Sequence, residues 1–203
     1  MMNPSVTLAV EGDIDAAVAR RILVELGFLP GPIHGRQGKG QLNKALKGYN
    51  NAARHAPWLV IRDLDHDAGC APELLAGLLP EPAEHMCFRI AVRQIEAWLL
   101  ADRAGIADLL HLPLAVVPEN PEDLMDPKAT VIQLAQRSRN RRLRGEIVPA
   151  VNTSAKVGPG YTARMIEFAT GAWSPRTAAG CCPSLASCLN AVEHWKASPQ
   201  SSS

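Results

Sequence analysis

The sequence predicts an α/β chain: a mainly parallel four-stranded sheet flanked by helices, with an α-helical C-terminal extension. Three observations predict it. Short apolar, β-branched runs alternate with helical periodicity through residues 6–102, the order that gives parallel strands joined by crossover helices. Polar residues end these runs abruptly, as at Glu11-Gly12 and Arg62-Asp63. Beyond Leu112 the strand-like runs stop, and prolines, acidic residues and helical patterns take over.

Val6 to Val10 (VTLAV) reads as a buried first strand. Asp13 or Asp15 is placed to cap the following helix, whose apolar Ala16, Ala17, Ile22, Leu23 and Leu26 recur at helical spacing before Gly27 stops it. A second strand is expected near Pro32 to His34. It leads into the glycine-rich, basic loop Gly35 to Gly40 and a helix over Leu42 to Arg54. Trp58 to Ile61 (WLVI) is the clearest strand, and it runs into Arg62-Asp63-Leu64-Asp65-His66-Asp67. A short helix follows Pro72, a residue suited to a first helical turn. Met86 to Val92 forms the fourth strand and Gln94 to Asp102 a helix. Residues 113–127 read as a linker, followed by helices at about Pro127 to Ser138, Tyr161 to Ala169 and Ser184 to Trp195. The expected division is an α/β core over 1–112, a helical extension packed on it over 113–196, and a disordered tail over 197–203.

At 203 residues the chain suits one well-packed domain, and 47% hydrophobic with 20% charged residues is ordinary for a globular protein. A formal charge of +1 excludes a strongly basic nucleic-acid module but leaves room for local patches. No signal peptide or membrane-spanning run is visible, so no membrane partner is expected. Five cysteines (Cys70, Cys87, Cys181, Cys182, Cys188) form no disulfide framework, which points to a reducing cytoplasm. Cys181, Cys182, Cys188 and His194 suggest zinc, but their spacing fits no common structural zinc pattern.

The residues that carry chemistry are acidic. In an open parallel sheet, ligands gather outside the carboxyl ends of the strands. Glu11 closes the first strand, and Asp63 with Asp65 close the third. On an extended backbone the two aspartates, two apart, share a face. Carboxylates held this close repel unless a cation neutralises them, and Mg2+ takes oxygen ligands while keeping waters for substrate phosphates. Against this stands the simpler reading that strand ends turn polar as they reach solvent.

Val10-Glu11-Gly12 followed by Asp63-Leu64-Asp65 resembles the TOPRIM signature, found in topoisomerases, bacterial primases, recombination mediators and the overcoming-lysogenisation-defect nucleases. Arg93 to Asp102, with its Glu-Ala-Trp-Leu-Leu-Ala-Asp block, resembles a bacterial TOPRIM-like family of unknown function. The resemblance spans residues 5–102 and implies a TOPRIM/Rossmann-like fold and phosphoryl transfer on nucleic acid, with nuclease the best-fitting activity. It makes Glu11 a general acid/base or metal ligand, and Asp63 and Asp65 ligands of Mg2+ (or Mn2+). DNA is the expected partner, and defence against mobile DNA the implied setting.

Glu96 is a further metal-ligand candidate. Asp102, about 600° further round the same helix, points elsewhere and is free to bind a helix end or a neighbouring amide. Trp98 belongs to an apolar helical stripe and reads as core; His66 reads as a surface histidine or a proton carrier. Arg36 and Lys39 in the glycine-rich loop are phosphate-binding candidates, although no Walker A spacing occurs. Arg141, Arg142 and Arg144, within the run from Arg137, form the densest positive patch and a nucleic-acid backbone candidate. Lys156, before Gly158 and Gly160, is a candidate catalytic cation.

Two competing readings remain. A partner-dependent module would need a separate ATPase subunit, since this chain carries no nucleotide-binding loop. Asp63-Leu64-Asp65 also resembles the Asp-x-Asp of haloacid-dehalogenase-like phosphatases, but there the motif normally ends the first strand, and Glu11 would be left unexplained.

Overall fold

The computed structural model describes residues 5–197. Its sheet is all-parallel, in the order β2-β1-β3-β4, from β1 (Ser5–Val10), β2 (Leu29–Gly35), β3 (Trp58–Asp63) and β4 (Met86–Ala91). Helices α1 (Asp13–Glu25), α2 (Lys39–Ala52) and α3 (Ala71–Leu78) join successive strands. After β4 the chain is helical: α4 (Ile95–Ala101), α5 (Arg103–Leu110), α6 (Pro127–Gln136), α7 (Arg141–Ile147), α8 (Tyr161–Thr170), α9 (Pro175–Ala179) and α10 (Pro183–Ala197). No helix among the described residues is long and apolar enough to cross a membrane.

Both faces of the sheet are covered over β1, β3 and β4, which is why these strands read as apolar runs, whereas β2, at the sheet edge, has no buried residue. The pleat sorts them with a period of two. Val6, Leu8, Val10, Leu59 and Ile61 enter one core, while Ala9, Trp58, Val60, Phe88 and Ile90 enter the other. The first core is the larger and contains α1, α4 and the helices beyond Leu112, so the extension shares the hydrophobic core of the sheet. Trp98 and Trp173 are fully buried in it, and the Trp173 indole Nε1 donates to the Trp98 carbonyl at 3.1 Å. The second core lies under α2 and α3.

Several elements depart from the sequence expectation. The α1 cap is Gly12, with no side-chain cap bond; Asp13 and Asp15 lie inside the first turn, and Asp15 is buried. Strand β2 is longer than Pro32 to His34, because β1 pairs with it from Ser5 to Val10. Helix α2 starts at Lys39, so Lys39 and Gly40 belong to a helix rather than a loop. The stretch after Ala101 is not featureless. Asp102 breaks the helix and restarts it as α5, accepting from the Gly105 amide at 3.1 Å. Its other oxygen accepts from the Ser174 amide at 2.8 Å, which ties the extension to α4. The linker at 113–127 carries two short 3-10 turns, and α7 and α9 were not anticipated. Asn140 caps α7 and Ser174 caps α9, both ordinary cap residues that signalled these helices. Of the tail, Ala197 ends α10, and residues 198–203 lie outside the described residues.

Candidate functional site

The strand order reverses between β1 and β3: the chain moves outward from β1 to β2, then returns to continue through β3 to β4. Such a switch point opens a crevice at the carboxyl ends of the two strands. Glu11 leaves β1 there, and its Oε1 accepts from the Asp63 amide at 3.0 Å, joining the two strand ends. Asp63 Oδ1 in turn accepts from the Ile95 amide at 2.8 Å, at the start of α4. Glu11 and Asp63, two of the three expected carboxylates, therefore meet at one edge, beside the first turns of α1 and α4.

Those turns bring two more. Asp15, one turn into α1, is 6% exposed, and Glu96, in the first turn of α4, is 1% exposed. Asp15 Oδ1 and Glu96 Oε2 are buried without a hydrogen-bond partner. Burial, then repulsion from Glu96 and Glu11, pushes the Asp15 carboxyl up to about 7. Burial, followed by Asp15, Glu96, Glu11 and Asp65, holds Asp63 well above the ordinary carboxylate range. Glu11 is also raised, chiefly by burial, against the pull of the Asp63 amide and of Arg62.

Cations surround the cluster without matching it. Lys128, from the first turn of α6, places Nζ 3.3 Å from Glu96 Oε1, and the buried Tyr161 hydroxyl donates to the same oxygen at 3.0 Å. Burial works against the Lys128 ammonium, but Glu96 first, then Asp63 and Asp15, hold its pKa above the usual value. Arg62, fully buried, lies 3.9 Å from Glu11 Oε1, donates to Asn43 at 3.0 Å and pairs with Asp67. Lys39 donates to Asp65 at 2.9 Å and to Asp67 at 3.0 Å. Six carboxylates (Glu11, Asp15, Asp63, Asp65, Asp67, Glu96) thus face three cations (Lys39, Arg62, Lys128).

Asp65 departs from the arrangement expected of it. Strand β3 ends at Asp63, and Asp65 has a φ of 48°, so the two aspartates do not follow an extended backbone; Asp65 turns to Lys39. Positive φ recurs just beyond β2 and β4, at Arg36 (63°) and Arg93 (60°). Non-glycine residues in this region store strain, and such strain clusters at functional sites. The glycine-rich loop is clamped rather than open: the amides of Arg36 and Gly38 donate to the Val10 and Glu11 carbonyls at 2.8 and 3.0 Å. At Gly35 (φ 83°) a Cβ would stand 2.2 Å from the Val10 carbonyl oxygen, so only glycine fits. Two of the amides expected to cradle a phosphate are therefore already bonded, and Arg36 reaches Asp13 at 3.4 Å.

Lys156 is exposed between α7 and α8, and makes no hydrogen bond or ion pair to another side chain, the cluster included, among the described residues. His66 is exposed. Arg142 pairs with Glu146 at 3.1 Å, Arg144 donates to the Ser138 carbonyl at 2.9 Å, and Arg141 is exposed on the first turn of α7.

Sequence reasoning missed Asp15, Arg62, Lys128 and Tyr161. A signal existed for two of them. Asp15 interrupts the buried stretch Ile14 to Ala19, and Lys128 puts a positive charge in a first helical turn, where the helix dipole disfavours it.

Among the described residues, no group of three or more His, Cys, Asp or Glu side chains is placed so that it could hold a metal ion. What the side chains offer is a donor type, not a formed site: all oxygen, in excess negative charge, with two buried oxygens unpartnered. Comparison with protein-family models, with curated proteins and with solved structures finds no match to this chain.

Proposed function

We propose that the chain is a divalent-cation-dependent phosphodiester hydrolase acting on nucleic acid, DNA in the first instance, as its resemblance to TOPRIM nucleases suggests. One observation carries the reading: Glu11, Asp15, Asp63 and Glu96 crowd one strand-end crevice with too few cations and two unpartnered buried oxygens. As architecture this arrangement is costly, since like charges in a desolvated crevice repel. An ion of the Mg2+ or Mn2+ type would remove the cost, with these four side chains closing from their present positions to hold it. When bound, it supplies charge neutralisation at a phosphate oxygen.

The chain's own residues have distinct parts. Glu11 commits Oε1 to the Asp63 amide, which leaves Oε2 to take or release a proton, and its raised pKa suits that exchange. Lys128, half-exposed against Glu96, stands where an incoming phosphate meets the cluster and can hold its negative charge. Arg62, buried behind Glu11 and Asp67, fixes both carboxylates.

The test combines plasmid nicking in Mg2+ or Mn2+ with thermal denaturation in Mn2+ or EDTA. Wild type is expected to nick and to gain stability from Mn2+, whereas Glu11→Ala and Asp63→Ala lose about a hundredfold or more in rate and the Mn2+ gain. Nicking that survives in both variants, or no Mn2+ effect on wild type, overturns the proposal.

A second reading draws on Lys39, which already holds Asp65 and Asp67. In it the module is partner-dependent and needs a separate ATPase subunit to complete the site. Mn2+ stabilisation without nicking favours it.

A further inference from the structure

The densest positive surface lies away from the carboxylates, where the turn between α6 and α7 faces the end of α5. Two adjoining clefts share Asp108 and His111; Arg137 and Arg139 line one, and Arg142 and Arg164 line the other. Arg142 and Arg164 are partly neutralised by Glu146. Arg137, Arg139 and Arg141 are exposed, and their side chains make no hydrogen bond or ion pair among the described residues. The turn that displays them is itself fixed. Buried Ser138 accepts from the Asn140 amide at 3.2 Å, Arg144 donates to the Ser138 carbonyl, and Asn140 caps α7. Three free guanidinium groups are thus held on a rigid support, the arrangement suited to a fixed array of phosphates.

No Phe, Tyr or Trp lines either cleft. Single-strand binding draws on aromatic platforms for unstacked bases, whereas sequence-independent duplex binding rests essentially on phosphate contacts. Helix α6 sets the distance to the carboxylates: Lys128 in its first turn touches Glu96, and Arg137 is its C-terminal cap. Nine residues at the helical rise span about 14 Å, or about four steps of a duplex at about 3.4 Å each.

We propose that this arginine-lined cleft binds the phosphate backbone of a nucleic-acid duplex and sets it about four base steps from the carboxylate cluster. The identity of the ligand rests on the phosphodiester reading above, while the surface and the duplex preference go beyond it. Arg137 and Arg139, which line the cleft, carry the contact, joined by Arg141, exposed on the adjoining first turn of α7; Arg142 is tied to Glu146 and Arg144 to the Ser138 carbonyl.

The experiment is fluorescence anisotropy on labelled duplex DNA, duplex RNA and single-stranded DNA of equal length, in EDTA across a salt series. Wild type should bind a duplex at least as tightly as the single strand. Arg137→Ala/Arg139→Ala/Arg141→Ala should weaken duplex binding about tenfold or more at about 50 mM salt. It should also reduce the slope of log K against log salt by about two to three. A control of equal charge change, Lys44→Ala/Lys47→Ala/Arg54→Ala on and just after the exposed side of α2, should leave both nearly unchanged. Unchanged binding in the arginine variant, an equal loss in the control, tighter single-strand binding, or no duplex binding by wild type overturns the inference. Because binding is read without metal, a protein that binds through these arginines yet never cuts removes the hydrolase reading and leaves this one standing.

Discussion

Replacing Asp15 with asparagine is the sharpest probe of the carboxylate cluster. The side chain keeps its shape and loses its charge, at a position only 6% exposed. In the folded chain the Asp15 carboxyl is pushed from 3.8 to about 7, by burial first and then by Glu96 and Glu11. An acid whose folded pKa is raised binds more protons folded than unfolded across that window. Stability therefore falls as pH rises from about 4 to about 7, and stays low above it. A separation of about three pH units at about 1.4 kcal/mol each puts the loss on the order of 4 kcal/mol. That is a large part of the roughly 5–15 kcal/mol of a typical domain. Urea denaturation in EDTA between pH 4.5 and 8.5 reads it directly. Wild type should lose stability with rising pH. Asp15→Asn should be flatter and, at pH 8, more stable by up to about 4 kcal/mol. Equal pH slopes, or a variant less stable than wild type at pH 8, would refute the idea that Asp15 stands unneutralised among carboxylates.

Two further outcomes follow from the same geometry. Lys128→Met removes the ammonium beside the carboxylate cluster; at pH 8 it should lose about 1–3 kcal/mol, a figure kept small because the lysine is 41% exposed, and regain part of it at pH 5, where the Asp15 carboxyl, pushed up to about 7, is protonated. Urea melts at the two pH values check this, and an unchanged midpoint at pH 8 excludes Lys128 as a counter-charge. A chain ending at Leu112 should show no cooperative thermal transition by circular dichroism. It strips the cover from Trp98, Ile22 and Leu23, each worth about 1.5–3 kcal/mol buried, and leaves the Trp98 carbonyl without Trp173. A sigmoidal melt would make residues 1–112 an independent folding unit.

Much of this was legible from the sequence. Three of the four strands stood out because a buried strand must be mostly apolar, whatever surrounds it; β2, an edge strand with Pro30, Gly31 and Pro32 and no buried residue, showed only its last part. Trp58 to Ile61 meets that condition locally. Helices α7 and α9 escaped because each is short and polar, signalled mainly by its cap, Asn140 or Ser174. Asp15 was misread for a related reason. An aspartate near a helix start is ordinarily a cap, and only the packing of α1 and α4 at the same crevice reveals that it is buried beside Glu96.

What the residues alone determined is the parallel α/β order and the placing of Glu11 and Asp63 at strand ends, because alternation and chain breaks are local properties. Tertiary structure decided the rest. It paired Asp65 with Lys39 at a positive φ, and it brought Asp15, Glu96, Lys128 and Tyr161 together from four helices. Charge interactions depend on distance and on the exclusion of water, and neither is set until the strands, the crossover helices and the extension have packed.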